Sequence, residues 1–188
     1  MSFTSNVTSE TMLALIKARR SVREHTAAPV SIGILEQLLQ AARWAPSGGN
    51  RQQWCFVVVR DPLRIRKIAA VSPGLLGQPA ALVVLCVDRG TDSGRSQELD
   101  EACSLIETGL AAQNLMLAAT AFGLGSCPVR SFSVAALSRL LALPEMVRPE
   151  LIVTLGYPAR AVEAPPRRPA EETVHWEQYG ARECPEDA

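Results

Sequence analysis

An α+β domain, with helices packed around a small mixed sheet, is predicted by three features of the sequence. β-branched apolar runs suited to strands are few, and segments with a 3.6-residue apolar period outnumber them. The two kinds do not alternate in the rhythm of a βαβ fold. At 188 residues the chain is long enough for one domain with a substantial core. No internal repeat and no linker-like stretch divides it, so residues 1–188 are expected to form a single unit.

Residues 9–19 read as a helix, with Ser9 as N-cap and Met12, Leu13, Leu15 and Ile16 on its apolar side. Ser31 caps a second helix, in which Ile32, Leu35, Leu38, Leu39 and Ala42 recur at helical spacing until Pro46 approaches. The run from Trp54 to Arg60 is a strand, and Asp61-Pro62 opens a short helix through Ala70. A Pro- and Gly-containing loop from Ser72 to Pro79 leads into a buried strand over 81–88, and the polar stretch 89–97 reads as an exposed loop. The longest helix spans 98–122. It is apolar over most of its circumference from Leu105, so burial on several sides is expected, and Gly123-Leu124-Gly125 ends it. A helix over 134–143 and a third strand over 151–156 follow. From Pro158 the chain is rich in proline and arginine and closes on Val174-His175-Trp176-Glu177-Gln178-Tyr179. Aromatic anchors without a core of their own suggest that residues 158–188 form an arm over a partner subunit, and hence a homodimer.

Composition narrows the function. Nineteen basic and nineteen acidic residues leave no net charge to favour nucleic acid or an anionic membrane. Met1 to Glu10 lacks the apolar run of a signal peptide, so the Asn6-Val7-Thr8 match to a glycosylation acceptor carries no meaning, and a cytoplasmic location is expected. The uncharged stretch 108–129 contains Gln113, Asn114, three glycines and Pro128, which makes it a poor membrane span. The five cysteines form no C-x-x-C pair and read as reduced thiols, four of them in apolar segments; no metal site is expected.

Two short elements carry the chemistry. Arg19-Arg20-Ser21-Val22-Arg23 puts three guanidinium groups and a hydroxyl within five residues of a helix end. Such forks match phosphate oxygens, although a solvated helix cap has the same composition. Ala45-Pro46-Ser47-Gly48-Gly49-Asn50-Arg51-Gln52-Gln53-Trp54 is a small-residue loop entering an apolar strand. Its glycines let a ligand approach the backbone, and Asn50 and Gln52 offer both donors and acceptors, as the pyrimidine edge of a flavin requires. An ordinary helix-to-strand turn is the alternative for the loop alone.

Taken in order, these segments resemble the FMN-dependent nitroreductase superfamily. Its signature is an R-R-S-x-R stretch, a P-x-E-x-L-x-x-L helix and an A-P-S-x-x-N-x-Q-P-W loop. This chain shows Arg19 to Arg23, Pro29-Val30 with Leu35 and Leu38, and Ala45 to Trp54. The stretch from Ala111 to Ala119 with Gly123-Leu124-Gly125 resembles the family's central helix and its end. Leu155-Gly156-Tyr157-Pro158 and Arg167-Arg168-Pro169 resemble its closing strand and tail. The resemblance covers about residues 10–180 and implies a nitroreductase-like fold, an intertwined homodimer and bound FMN. It further implies that Arg19, Arg20, Ser21 and Arg167 hold the phosphate, with Arg23 near the polar edge of the ring and Asn50 on the pyrimidine. Pro46, Ser47 and Gly48 would come from the other subunit. Gly125 and the run Pro128, Val129, Arg130 and Ser131 would pass beside the ring, Arg130 standing where some relatives carry an acid.

A closer resemblance, to the large subunit of cyclodipeptide oxidases, rests on Ser72 to Ala80, on Gly123 to Phe132 with Cys127-Pro128-Val129, and on Val174 to Gly180; Gln53 replaces the proline of Q-P-W. It implies oxygen-coupled Cα–Cβ dehydrogenation of a cyclic dipeptide, with hydride passing to flavin N5, and a possible small second subunit with assembly into filaments. The alternatives are an NAD(P)H-dependent nitro- or quinone reductase, and a flavin-binding subunit whose main task is assembly. No catalytic base is identified. His25 and Glu107 are candidates; His25 equally fills a packing slot, and Glu107 equally serves a surface or buried pair. Trp44 and Trp54 are assigned to the core.

Overall fold

Strand β2 (Ala81–Asp88) carries no polar side chain before Asp88, and every residue from Ala81 to Val87 is buried. A strand apolar on both faces must be covered on both, and β2 accordingly lies inside a four-stranded sheet of order β1-β2-β4-β3. Its neighbours are β1 (Trp54–Val59) and β4 (Val147–Gly156), with β3 (Gly125–Val129) on the far edge. The computed structural model describes residues 8–90 and 96–183. The Asn6 match, most of the N-terminal segment read for a signal peptide, the centre of the 89–97 loop and Cys184 lie outside the described residues.

The ladders β1–β2, β2–β4 and β3–β4 are all antiparallel. Among the described residues parallel pairing enters only at an isolated bridge between Ser21 and Ser126, so there the expected mixed character reduces to that one contact. The reason lies in the connection after β1. Helix α3 (Pro62–Ala70) and the 71–80 loop return the chain to the end of the sheet where β1 finishes, and β2 runs back along it.

Alternate residues of the strands face opposite layers. Val83, Leu85, Val153 and Leu155 meet α2 (Ile32–Arg43) and the long α4 (Gln97–Ala121), through Leu35, Leu38, Ala111 and Leu115. Leu82, Val84, Cys86 and Ile152 meet α3 and α5 (Val134–Leu140), through Ile65, Ile68 and Leu137. Helix α1 (Ser9–Ala18) is capped by Thr8, not Ser9, because the Thr8 hydroxyl accepts the Thr11 N–H.

Several expectations need correction. Strand β3 is not among the elements expected from the sequence, since Gly, Ser and Pro are poor strand formers. It persists because it is an edge strand, where Pro128 forfeits no ladder bond on its open side. Strand β4 begins four residues before the expected start, its entry masked by Arg148, Pro149 and Glu150. Trp44 is 84% exposed and does not serve the core, whereas Trp54 packs against it. Helix α4 is not covered on all sides: Leu105, Ile106 and Leu110 are exposed, as are Met12, Leu13 and Ile16 of α1. From residue 159 to residue 183 the chain is exposed apart from His175 and Ala181, which are half-buried, and among these described residues it holds one short helix, α6 (Ala170–Thr173). Among the described residues, no helix is long and apolar enough to cross a membrane.

Candidate functional site

The arginine cluster is placed by the backbone on either side of it. Helix α1 ends when the Arg19 N–H bonds Leu15 O at 3.1 Å, and the chain leaves extended. Val22 N–H donates to Ser126 O at 2.9 Å, and Thr26 N–H donates to Tyr157 O at 2.8 Å. Segment 21–26 therefore lies along the ends of β3 and β4. Val22 is buried against Gly125, where a Cβ would stand 2.6 Å from the valine side chain, so only glycine admits this approach. With Val22 facing inward, Arg19, Arg20 and Ser21 are half-buried and Arg23 is exposed. Arg20 Nη1 donates to Arg19 O at 2.7 Å. Among the described residues none of Arg19, Arg20 and Arg23 has a carboxylate partner.

The root of the C-terminal arm closes over this segment. Ala159 N–H bonds Glu24 O at 3.0 Å, and Arg160 pairs with the Glu24 carboxylate at 2.6 Å. Two hollows result. One of about 230 Å³ is lined by Ser21, Arg23, Glu24, Arg160 and Val162. The other, of about 220 Å³, includes Arg20, Val22, Gly125, Arg160 and Val162 in its walls.

The 72–80 loop joins the same region from another direction. A Cβ on Gly77, which has φ +73°, would collide with the Arg23 carbonyl oxygen, and one on Gly74 would collide with the Ser131 hydroxyl. These two glycines pin the loop to both ends of the candidate site. Pro128 is exposed on β3 while Val129 is buried beneath it. The structure thus sets Ser21 and Val22 against Ser126 and Gly125 at the start of β3, and Val129 and Ser131 against Gly74 at its far end, with the 72–80 loop running between Arg23 and Ser131. It also leaves the buried Ser126 hydroxyl without a hydrogen-bond partner there.

Arg130 points elsewhere, to Glu150 at 3.3 Å. Glu150 is an unforeseen centre, only 3% exposed, which also meets Arg148 at 3.4 Å and Arg89 at 3.7 Å. The register jumps from Leu85↔Leu151 to Cys86↔Pro149, so Glu150 is the extra residue of a β-bulge. Bulges re-aim side chains, and this one collects arginines from three strand ends. The adjacent Arg-Pro-Glu was the available signal, since a proline inside a strand marks a bulge or an edge.

The 45–54 loop is held by α4. Gly48 N–H donates to Glu107 Oε1 at 2.8 Å, and Glu107 is 6% exposed. Within the loop Ser47 Oγ accepts the Gln52 N–H at 3.1 Å, and Asn50 and Gln52 adopt φ of 55° and 52°. Gln52 Nε2 donates to Asn50 Oδ1 at 3.0 Å, so that amide oxygen is engaged within its own loop. Pro46 and Asn50 are exposed and Ser47 and Gly48 half-buried. Glu107 therefore acts through the loop that it holds.

His25 packs its ring on Gly156, where a Cβ would come within 2.8 Å. Neither ring nitrogen makes a hydrogen bond of ordinary geometry. Burial pushes its pKa below the usual histidine value, and the nearby Gly125 backbone opposes that shift only in part. The packing role is the one that the structure supports. Arg167 is not brought to the cluster: it is exposed, and its hydrogen bond runs to Pro165 O at 3.2 Å. Among the described residues no group of His, Cys, Asp and Glu could hold a metal ion.

The two halves of the site are far apart within one chain. The 45–54 loop is tied to α4 at Glu107, whereas Leu124, beside the Gly125–Val22 contact, bonds back to Ala119 at 2.9 Å. Twelve residues of helix separate Glu107 from Ala119, about 18 Å along the axis.

Comparison with known proteins places the fold in a family. Residues 16–78 and 71–157 match the model of the Nitroreductase family. The NADPH-flavin oxidoreductase of Vibrio harveyi is 30% identical, the match covering 93% of this chain and 75% of that protein. The FMN reductase [NAD(P)H] of Bacillus subtilis is 28% identical, over 85% of this chain and 71% of that one. Among solved structures, Bacillus megaterium NfrA1 superposes with a TM-score of 0.82 at 26% identity, covering 90% of this chain and 75% of its own. A nitroreductase family protein of Clostridium difficile gives 0.77 at 28%, covering 87% and 96%.

Proposed function

The chain belongs to the nitroreductase family, and from that premise we propose that it is an FMN-dependent oxidoreductase drawing electrons from NAD(P)H and passing them to a flavin, nitro or quinone acceptor. One observation carries the reading: the carboxylate-free arginines of segment 19–23 are laid against β3 beside the 72–80 loop. Guanidinium groups not engaged by a carboxylate are free to meet an anion, and a phosphate accepts from them bidentately. The donor set therefore fits FMN.

Arg19, Arg20 and Ser21 hold the phosphate, and Arg23 lies toward the polar edge of the ring. Gly125 and the exposed backbone at Pro128–Ser131 line the ring, with Val129 as the buried support. Held by these residues, FMN would supply a hydride acceptor at N5 and onward electron transfer. The protein's contribution is position and exclusion of water, in which Glu107 keeps the 45–54 loop in place.

A second copy completes the site. The 18 Å offset along α4 keeps Pro46, Ser47, Gly48 and Asn50 from the phosphate cluster of their own chain. The exposed apolar faces of α1 and α4, with Trp44, Val174, Trp176 and Tyr179, offer the surface for pairing. Residues 1–188 then act as one domain, with residues 158–188 laid over the partner copy.

A second reading, oxygen-coupled dehydrogenation of cyclic dipeptides, rests on the 72–80 loop, whose sequence resembles that branch and which packs against both Arg23 and Ser131. Such an enzyme could require a small second subunit and assemble into filaments. Anaerobic stopped-flow absorbance of the FMN-loaded protein separates the readings. Bleaching by NADH or NADPH is expected. Bleaching by cyclic dipeptides alone would overturn the first reading in favour of the second. No bleaching by any of these would leave a flavin-binding assembly subunit.

A further inference from the structure

Cys55 on β1 and Cys86 on β2 stand directly opposite each other in the antiparallel register. Asp88 N–H donates to Gln53 O at 2.8 Å, so that opposed pair is of the hydrogen-bonded kind. Alternation then makes Cys55 and Cys86 a hydrogen-bonded pair too, with Cα atoms about 5.5 Å apart. That spacing falls in the middle of the range that a disulfide spans, roughly 4.4–6.8 Å. Opposed residues project to one face of a sheet, and both thiols lie in the α3/α5 layer. Cys86 is fully buried and Cys55 half-buried, so one member of the pair is reachable from outside.

The Cys86 thiol donates to Val84 O at 3.9 Å. The neighbouring Cys55 sulfur and burial raise the Cys86 thiol above its usual range, while the neighbouring Cys86 lowers that of Cys55. The reachable sulfur is thus the better nucleophile, and the buried one keeps its proton until it is needed.

We propose that Cys55 and Cys86 are an oxidant-sensitive dithiol, converted to a cross-strand disulfide by hydrogen peroxide or a related two-electron oxidant. The Cys55 thiolate attacks peroxide, forming an S–O bond as the O–O bond breaks and hydroxide leaves. The Cys86 sulfur then attacks the sulfenic acid; the S–S bond forms, the S–O bond breaks, and the Cys86 proton leaves with the departing oxygen as water. Two thiols lose two electrons and peroxide gains them. Opposed Cβ atoms in a sheet sit about 4.5–5.5 Å apart, against roughly 3.5–4.5 Å in a disulfide. The bond therefore draws β1 toward β2 and is readily reduced. The assignment does not depend on the identity of the cofactor or the substrate.

The test uses the full-length protein, reduced and then exposed to peroxide after the reductant is removed. Denaturing thiol counts should fall from five to three, peptide mapping should recover a Cys55–Cys86 cross-link, and glutathione should restore both thiols. Cys55→Ser should abolish the two-thiol loss. In Cys86→Ser, which keeps the reachable sulfur, Cys55 should stop at a sulfenic acid trapped by dimedone. Retention of all five thiols in the wild type, or a cross-link to Cys103, Cys127 or Cys184 instead, would overturn the proposal.

Discussion

The amide of Gly48 donates to the carboxylate of Glu107 at 2.8 Å, joining a loop to a helix across 59 residues of chain. Glu107 lies on the same face of α4 as Ser104, Thr108 and Ala111, all buried, and Ser104 Oγ donates to Gln53 Oε1 at 3.4 Å. The loop that resembles a flavin-edge element is thus held from below by a polar strip on a mainly apolar helix. Replacing Glu107 by Ala should leave the Gly48 N–H without its acceptor, at a cost of about 1–3 kcal/mol. Glu107→Gln, which keeps a carbonyl oxygen, should restore most of it. Thermal melts measure stability, and FMN titration should show weaker binding in the alanine variant only.

Within segment 19–23, Arg19→Ala and Arg20→Ala should weaken FMN binding. Each removes charge-assisted hydrogen bonds worth about 1.5–3 kcal/mol, or roughly 10- to 150-fold in Kd. Fluorescence titration checks this, and unchanged melting of the apoprotein would confirm that the loss is one of binding. A Kd equal to the wild type would remove these residues from the phosphate site.

Gly77 has no room for a side chain and a φ of +73°. Gly77→Ala should shift the 72–80 loop away from Arg23, destabilising the fold by about 1–3 kcal/mol. The midpoint of urea unfolding measures that loss. The loss of FMN affinity should exceed that of Gly123→Ala, a positive-φ glycine with open space around its Cβ position.

His25 is held neutral by burial, and its pKa is lowered from the ordinary 6.5. The unfolded chain therefore takes up the proton first as pH falls. Stability contributed by the neutral ring is complete above about pH 6.5 and declines below it until the folded state also protonates. Urea unfolding at pH 7.5 and pH 5.5 should show this fall. His25→Phe, which keeps a ring against Gly156, should flatten the profile.

Glu150 takes three arginines at the bulge in β4. Glu150→Ala should cost about 1–3 kcal/mol, because hydrogen bonds from charged groups are lost and the arginines are left crowded. Restoring stability by a further Arg148→Ala, measured as a double-mutant cycle, would establish the coupling.

Local signals were readable where one residue type has one use. Asp61-Pro62 opened α3, Ser31 capped α2, and the unbroken apolar run 81–87 marked β2 as a buried strand. The arginine cluster and the 45–54 loop were legible as elements for the same reason. Strand β3 was not, because its Gly, Ser and Pro are allowed only at a sheet edge, and edge position is not a local property. Trp44 was misplaced because apolar character does not say which side of a helix end faces outward.

The amino-acid sequence by itself determined the kind of domain, the order of most of its elements and the residues that suit an anion. Those follow from composition and short-range spacing, which act within a few residues. Tertiary structure alone decided what met across distance: Val22 over Gly125, Glu107 beneath Gly48, three arginines on Glu150, and Cys55 against Cys86. Such contacts depend on strand register and on where loops return. A shift of one residue in register would separate the two cysteines while leaving the local propensities of the chain unchanged.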